Sequence, residues 1–254
     1  MIEKPLVTIC TVCYNAEDVI AQCMQSVVNQ SFDDYEHLII DGYSSDTTLE
    51  IVHTFAEQHS GYSEKVGVYS EPDTGIYNAM NKGVKKARGA YILFLNADDC
   101  LEFGALEKIA LYLSAQRSNR VCYFGSLNIA HISGRMSIAD PHQTQTRRMP
   151  QSMPIGHQAQ LYPTDFLRSL GGFDENFSLA ADYELYLRSL AAGAKWEKIN
   201  VVVATYAQGG ASFDLLETAR QYRRVRIHHG MNPLKAWMLF VKNILAARLV
   251  RTLG

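Results

Sequence analysis

The apolar positions in the first half of the chain alternate between short continuous runs and stretches with helical spacing. Runs rich in β-branched and aromatic residues predict strands, at 6–14, 37–40, 66–70, 90–95 and 121–125. Apolar residues repeated every three or four positions are typical of a buried helix face, and they predict helices at 16–30, 48–58, 76–87 and 105–116. This alternation predicts an α/β fold with a mostly parallel sheet and helices on both faces.

The second half of the chain is less regular. Residues 131–156 are polar and contain three prolines, so they predict a long loop. The later pattern predicts helices at 165–170 and 181–190, a strand at 199–206, and two terminal helices at 214–229 and 234–252. We divide the chain accordingly into 1–125, 126–212 and 213–254.

Three predicted strands stop abruptly at polar residues, namely Asn15, Asp41 and Asn96. Parallel strands bring their carboxyl ends to one edge of the sheet, where open α/β proteins bind ligands. The clearest case is Ala90–Asp99, an apolar run followed by Asn-Ala-Asp-Asp. We interpret it as a site for a metal ion and a diphosphate, since Mg²⁺ prefers oxygen ligands. Capping of the next helix by one of the acids is the alternative.

Composition and absent motifs exclude several classes of protein. The net charge of −2 gives no argument for a nucleic-acid partner. Neither G-x-G-x-x-G after the first strand nor a P-loop motif occurs, so the usual dinucleotide and P-loop sites lose their support. No signal-peptide pattern and no apolar run of about 20 residues is present, which predicts a cytoplasmic protein. Cys10 and Cys13 lie within one predicted strand, and we interpret them as core residues.

Five motifs occur in an order that is found in one enzyme family. They are Thr8–Asn15, Ile40–Asp46, Asp73–Gly83, Phe94–Asp99 and Gly172–Asp182. Together they resemble the inverting family 2 glycosyltransferases with the GT-A fold, in particular bacterial enzymes that assemble exopolysaccharide, colanic-acid-like or O-antigen repeat units. The resemblance implies a nucleotide-sugar-binding half at 1–125 and an acceptor-binding half of the same domain at 126–212. The Gln-x-x-Arg-Trp motif of processive synthases is missing after Asp182, which implies addition of a single sugar.

The resemblance also implies roles for individual residues. Asp98 is the implied ligand of Mg²⁺ or Mn²⁺, and Asp182 is the implied general base, with Glu184 as the alternative base. The implied nucleotide-sugar-binding residues are Tyr14, Asn15, Asp41, Asp73, Lys82, Asn96 and Ala97. The implied acceptor-binding residues are His157 and Gln158.

Some of these roles have a purely structural alternative. Lys82 also fits a solvated helix face, and Asp182 also fits the cap of the helix that follows it. Asp99 fits either a helix cap or a support for Asp98. Gly42 stands where the commoner family pattern has a second acid, which leaves the nucleotide open between UDP and GDP.

The C-terminal segment is basic, because eight Lys and Arg residues and no acid follow Glu217. Within 233–252, basic and apolar residues interleave, which predicts a basic amphipathic helix on an anionic membrane, at the inner face of the plasma membrane. Packing on the core, or on a second subunit in a homo-oligomer, is the alternative. A lipid-linked acceptor would suit the membrane interpretation.

The sequence therefore predicts a metal-dependent enzyme that moves one sugar from a UDP- or GDP-sugar to a lipid-linked glycan acceptor in surface polysaccharide biosynthesis. One alternative is a sugar nucleotidyltransferase, although that class needs a basic, glycine-rich loop where this chain has the acidic run Asn15–Asp18. The other is a non-catalytic nucleotide-sugar-binding scaffold at the membrane, which the presence of both Asp98 and Asp182 disfavours.

Overall fold

The computed structural model describes residues 4–115, 119–143, 151, 153, 155–208 and 214–253. The strands are β1 (Val7–Cys13), β2 (Tyr35–Asp41), β3 (Val66–Ser70), β4 (Tyr91–Asn96), β5 (Cys100–Leu101), β6 (Val121–Ala130), β7 (Met136–Ala139), β8 (Gln160–Pro163) and β9 (Lys195–Ala207). The helices are α1 (Ile20–Val28), α2 (Thr48–Gln58), α3 (Ser60–Ser63), α4 (Ile76–Lys86), α5 (Ala105–Ala115), α6 (Thr164–Ser169), α7 (Ala181–Ala191), α8 (Leu215–His228) and α9 (Pro233–Leu253).

One sheet runs through both predicted halves of the chain, in the order β3-β2-β1-β4-β8-β6-β9-β5, with β7 paired to β6. Strands β3, β2, β1 and β4 are parallel to one another, and so are β6 and β9. In the described parts of the chain, antiparallel pairs occur only where β5, β7 or β8 takes part. The predicted α/β class with a mostly parallel sheet is confirmed.

Burial of both faces explains why the sequences of the central strands are almost continuously apolar. Every residue of β1 and β2 is buried, and so are Tyr91–Leu95 of β4. A strand that is buried on both faces has no solvent side on which polar residues would alternate. Cys10 and Cys13 are buried free cysteines within β1, as the sequence indicated.

The predicted long loop at 131–156 is wrong in part. Strand β6 extends to Ala130 rather than ending near residue 125, and β7 pairs back on it as a hairpin. The pattern of apolar residues did not predict this hairpin, because its strands contain polar residues. Ser126 donates a hydrogen bond to Asp140, and Asn128 donates one to Glu102 over 2.9 Å, so these polar side chains are satisfied within the sheet. Residues 144–150, which include Arg147 and Arg148, lie outside the described part of the chain.

The two terminal helices are confirmed, but the prediction that 233–252 is amphipathic is wrong over the described side chains. Ala236 of α9 is buried where α9 packs against α8, whereas Leu234, Trp237 and Met238 are exposed. Apolar side chains therefore lie on both sides of the helix. Among the described residues, no helix combines the length and apolar character needed to cross a bilayer.

Helix α4 approaches β1 so closely that only glycine fits at position 83. A Cβ on Gly83 would overlap the Sγ of Cys10. We expect Gly83→Ala to lower the free energy of unfolding by about 1–3 kcal/mol, because the helix must move away from the strand. Urea denaturation measures this change.

Two further variants identify the cause of that loss. Cys10→Ala removes the overlapping sulfur, so the double variant should recover stability relative to Gly83→Ala alone. Gly61→Ala, with nothing within 4 Å of its Cβ, should change stability by less than about 1 kcal/mol. A double variant no more stable than the single one would contradict the contact with Cys10.

Candidate active site

The polar residues at the ends of β1, β2 and β4 lie at one level of the sheet. Cys13 pairs with Asp41 across β1 and β2, and Val12 pairs with Asn96 across β1 and β4. Tyr14 and Asn15 follow β1 directly at this edge. The parallel register therefore brings together three segments that are far apart in the sequence.

The carboxylate of Asp41 is fully buried and holds the neighbouring loop in place. It accepts hydrogen bonds from the amides of Tyr43 and Ser44 at 3.1 and 3.0 Å, from Ser70 Oγ at 2.6 Å, and from the hydroxyl of Ser44. A carboxylate offers about four acceptor positions, so this one is saturated. Asp41 shapes the edge of the sheet, and its carboxylate does not face an open cleft.

Tyr14, Gly42 and Asp73 form a cradle at the same edge. The side chain of Tyr14 is 64% exposed. A Cβ at position 42 would lie 2.5 Å from Asp73 Oδ2 and 3.4 Å from Tyr14 Cδ2. Glycine at 42 thus allows the Asp73 carboxylate to lie against the backbone beside the tyrosine ring. An exposed ring beside a carboxylate can stack on a nucleotide base and accept its hydrogen bonds.

Asn15 and Lys82 support this cradle through the loops around it. Asn15 has a left-handed backbone (φ 47°), and its Oδ1 accepts a hydrogen bond from the amide of Ser45 over 2.9 Å. The Nζ of Lys82 donates to the carbonyls of Pro72 and Glu71 at 2.6 and 3.2 Å. These bonds fix the loop that carries Asp73, so Lys82 is not simply a solvated side chain.

The Asn96–Asp99 stretch is bound to the predicted acceptor residues. His157 Nε2 lies 3.2 Å from Asn96 Oδ1, and Gln158 Nε2 donates to Asp99 Oδ2 over 2.8 Å. The backbone amide of Ala207 donates to Asp99 Oδ1 over 3.0 Å. Asp99 therefore joins distant segments rather than capping a helix. Burial, reinforced by the charge of Asp98, raises the pKa of Asp99 to about 7.

Five of the predicted residues share one cavity of about 320 Å³, and they are Asn96, Asp98, His157, Gln158 and Asp182. Burial lowers the pKa of His157 to about 4, so its ring is neutral at neutral pH. Burial also raises the pKa of Asp98. Ala97, between Asn96 and Asp98, is itself buried. The cavity is thus rimmed by amides, a neutral imidazole and carboxylates.

These carboxylates have no protein counter-charge in the described part of the chain. Asp98, Asp99 and Asp182 are absent from its ion pairs. Carboxylate oxygens without a neighbouring cation are the donor set that Mg²⁺ or Mn²⁺ prefers. Asp98 is half-buried and lines the cavity, so it fits a metal ligand better than the fully buried Asp99 does.

Asp182 lies on the first turn of α7, half-buried at the wall of the cavity. It accepts hydrogen bonds from the amide of Tyr183 over 2.7 Å and from Tyr77 Oη over 3.3 Å. The capping position of α7 is occupied by Ala180, so Asp182 is not the helix cap. Burial raises the pKa of Asp182 to about 6, against the lowering effect of the two hydrogen bonds.

The alternative base, Glu184, is bound elsewhere. Its carboxylate is 2% exposed and accepts from Arg188 Nη2 at 2.6 Å, and it lies 3.2 Å from His229 Nε2. Glu184 is not among the described residues that line the cavity. An acceptor hydroxyl in the cavity would meet Asp182 and not Glu184.

Several residues that line the cavity were not predicted from the sequence, above all Tyr77, Thr218 and Tyr222. Tyr77 lies inside the Asp73–Gly83 motif and donates a hydrogen bond to Asp182, a contact that only the folded structure shows. Thr218 and Tyr222 are four residues apart on α8, a spacing that places both on one face of the helix. This spacing can be recognised in the sequence, but the sequence does not show that this face of α8 lines the cavity.

Comparison with known proteins matches this chain to glycosyltransferases. The sequence profile of glycosyl transferase family 2 matches residues 8–160. A PGL/p-HBAD biosynthesis glycosyltransferase of Mycobacterium bovis (strain BCG / Pasteur 1173P2) is 29% identical over 216 residues, which are 84% of this chain and 81% of that protein. The chondroitin synthase of Escherichia coli is 31% identical over 74% of this chain, which spans only 27% of the synthase.

Solved structures support the same fold. The mannosyltransferase PcManGT from Pyrobaculum calidifontis, in complex with GDP-Man and Mn²⁺, superposes with a TM-score of 0.67 at 17% identity, over 98% of this chain and 76% of its own. S. aureus TarS 1-349, in complex with UDP-GlcNAc, superposes with a TM-score of 0.66 at 17% identity, over 94% and 71%. Such identities establish the GT-A fold alone. The family match covers more than half of the chain, and the chain therefore belongs to glycosyl transferase family 2.

Proposed function

We propose that this glycosyltransferase is metal-dependent and inverting, and that it moves one sugar from a UDP- or GDP-sugar to a lipid-linked glycan acceptor in surface polysaccharide biosynthesis. The observation that carries the proposal is that Asp98 and Asp182 line one cavity, which Tyr77 of the Asp73–Gly83 motif lines as well. The solved relatives named above hold GDP-Man with Mn²⁺ and UDP-GlcNAc, which supports a nucleotide-sugar donor.

In this proposal the donor lies along the carboxyl edge of the sheet. The nucleotide base would stack on Tyr14 and contact Asp73, while Asn96 and Ala97 would lie beside the ribose and diphosphate. His157 holds Asn96 Oδ1 at 3.2 Å, so the amide nitrogen of Asn96 is the group oriented for a ribose hydroxyl. Lys82 and Asn15 contribute by fixing the loops that carry this site.

Asp98 would hold a divalent cation, Mg²⁺ or Mn²⁺, together with the donor diphosphate. When bound, such an ion neutralises the charge that develops on the departing nucleoside diphosphate. The Asp98 carboxylate is half-buried and has no described protein cation beside it, so it is suited to bind such an ion.

Asp182 would act as the general base. Its carboxylate takes the proton of the acceptor hydroxyl while the hydroxyl oxygen attacks the anomeric carbon from the face opposite the diphosphate. The bond between the anomeric carbon and the phosphate oxygen breaks, and its electron pair leaves with the nucleoside diphosphate. The anomeric configuration inverts, and Asp182 becomes neutral. A pKa near 6 leaves this carboxylate ionised at neutral pH.

The location of the acceptor remains part of the proposal. Lys235 and Lys242 are exposed on α9 beside the exposed Leu234, Trp237 and Met238, and no acid follows Glu217. Although α9 is not amphipathic over its described side chains, these exposed apolar and basic side chains support peripheral contact of 233–252 with an anionic membrane surface. Contact with such a surface would bring the cavity near a lipid-linked acceptor.

Asp98→Asn should abolish metal-dependent turnover of the donor, with a loss of at least about 100-fold, because the amide lacks the charge that binds the cation. The measurement is release of nucleoside diphosphate from a panel of UDP- and GDP-sugars during titration with Mn²⁺. Asp165→Asn, at an exposed position on α6, is the matched control and should keep normal turnover. Normal Mn²⁺-dependent turnover by Asp98→Asn would remove the assignment.

Asp182→Asn should retain donor binding, measured as a thermal shift with nucleotide-sugar and Mn²⁺, but should lose transfer.

In the native enzyme, kcat/KM for the acceptor should fall as the pH drops below about 6, because protonated Asp182 cannot accept a proton. Tyr77→Phe removes a hydrogen bond that lowers this pKa, so the acidic limb should move to higher pH. An acidic limb unchanged in Tyr77→Phe would argue against Asp182 as the group that titrates.

Gly42→Ala should weaken donor binding by about tenfold or more, because the added Cβ displaces the Asp73 carboxylate from the cradle. The dissociation constants of UDP and GDP measure the effect directly by calorimetry. Gly61→Ala, with open space around its Cβ, is the control. Unchanged affinity for both nucleotides would place the base elsewhere.

A further inference from the structure

The cavity that contains Asp182 is lined by two chemically different sets of side chains. One set comprises the amides, the imidazole and the carboxylates described above. The other set, which we call the aliphatic wall, consists of Leu127, Ile129, Ala139, Met153, Ile155 and Leu179, and Leu127 pairs with Ala139 across β6 and β7. These residues come from β6, β7 and the segments that precede β8 and α7.

Because of its position in the sheet, we expect the wall to contact the acceptor rather than the donor. The cradle lies at the ends of β1, β2 and β3, whereas β6, β7 and β9 lie beyond β4 and β8 in the sheet. Asp98 follows β4, which lies between these two groups of strands, and it shares the cavity with Asp182 and the wall. A donor that extends from the cradle to Asp98 leaves the wall to the molecule whose hydroxyl meets Asp182.

An aliphatic wall is a poor partner for a fully hydroxylated sugar. Side chains such as Ile129 and Met153 neither donate nor accept hydrogen bonds, so a sugar hydroxyl against them would lose water without a replacement. An apolar group placed there would instead gain from leaving water. The wall therefore selects for an acceptor that has an apolar face next to its reactive hydroxyl.

Helix α8 adds one further polar group to the lining of the cavity. Thr218 lines the cavity, and its Oγ1 is buried without a hydrogen-bond partner in the described structure. Tyr222, one turn later, lines the cavity as well. A buried hydroxyl without a partner is costly, and a ligand that bonds to it removes that cost.

We infer that the acceptor carries an apolar, ring-sized group beside its reactive hydroxyl, and that this group packs on the aliphatic wall while Thr218 Oγ1 hydrogen-bonds a polar atom of the acceptor. The inference rests on the proposed function, because it takes Asp182 as the base that selects the reactive hydroxyl. A volume of about 320 Å³ leaves room for a group of this size.

Matched pairs of small glycosides test the inference by binding, without requiring turnover. Methyl and phenyl β-glycosides of glucose, galactose and N-acetylglucosamine are titrated by ligand-observed NMR against the enzyme with UDP and Mn²⁺. For at least one sugar, the phenyl glycoside should bind about tenfold more tightly than its methyl partner, because the ring is removed from water against the wall.

Two pairs of variants connect that difference to the wall and to Thr218. Met153→Gln keeps the volume but adds an amide to the wall, and it should reduce the phenyl preference to about threefold or less. Met136→Gln, at an exposed position on β7, should leave the preference unchanged. Thr218→Val should weaken the phenyl glycoside about fivefold, whereas Thr164→Val, which removes another buried and unpartnered hydroxyl outside the cavity, should not.

Three results would overturn the inference: equal binding within every pair, no binding of any glycoside at millimolar concentration, or a phenyl preference that Met153→Gln leaves intact. Failure of the proposed function is seen separately, as a lack of nucleoside diphosphate release from every donor. In that case the premise that Asp182 is the base fails, and the binding ratios report only whether the wall and Thr218 bind an apolar group.

Discussion

A buried carboxylate, Asp99, joins three of the segments that surround the active-site cavity. It is fully buried and accepts hydrogen bonds from Gln158 and from the amide of Ala207, so it connects the end of β4 to the segment before β8 and to the end of β9. Loss of either donor would leave a buried acceptor unpaired, which costs about 1–3 kcal/mol. The position of Asp98 at the cavity, one residue earlier, depends on this junction.

Adjacent acids thus have different tasks because their surroundings differ. Asp98 is half-buried at the cavity, where it can meet a cation, while Asp99 is enclosed and serves as a hydrogen-bond acceptor for the scaffold. A similar division separates Asp182 from Glu184 on α7. The former faces the cavity, and the latter is neutralised by Arg188 and close to His229. Environment, more than residue type, decides which acid is available for chemistry.

The local patterns of the sequence predicted most of the first half of the fold. Continuous apolar runs marked the strands β1 to β4, since burial on both faces leaves no alternation to interpret. The hairpin of β6 and β7 was missed, because Ser126 and Asn128 are satisfied by Asp140 and Glu102, partners that only the folded sheet brings close. Motifs indicated Asp98 and Asp182, but the burial of Asp41 and the cavity face of α8 depend on long-range contacts. Periodicity within one segment carries no information about such contacts.

The absence of a Cβ at Gly42 limits how the sequence of this site can vary among related enzymes. In the commoner pattern, the acid next to Asp41 belongs to the same loop, whereas here the carboxylate beside that position comes from Asp73, more than thirty residues later. An acid introduced at 42 would compete with Asp73 for one volume, and their like charges would repel. The loops after β2 and β3 would therefore have to be exchanged together between such enzymes. Grafting either loop alone between two such enzymes would give a site with two carboxylates or with none.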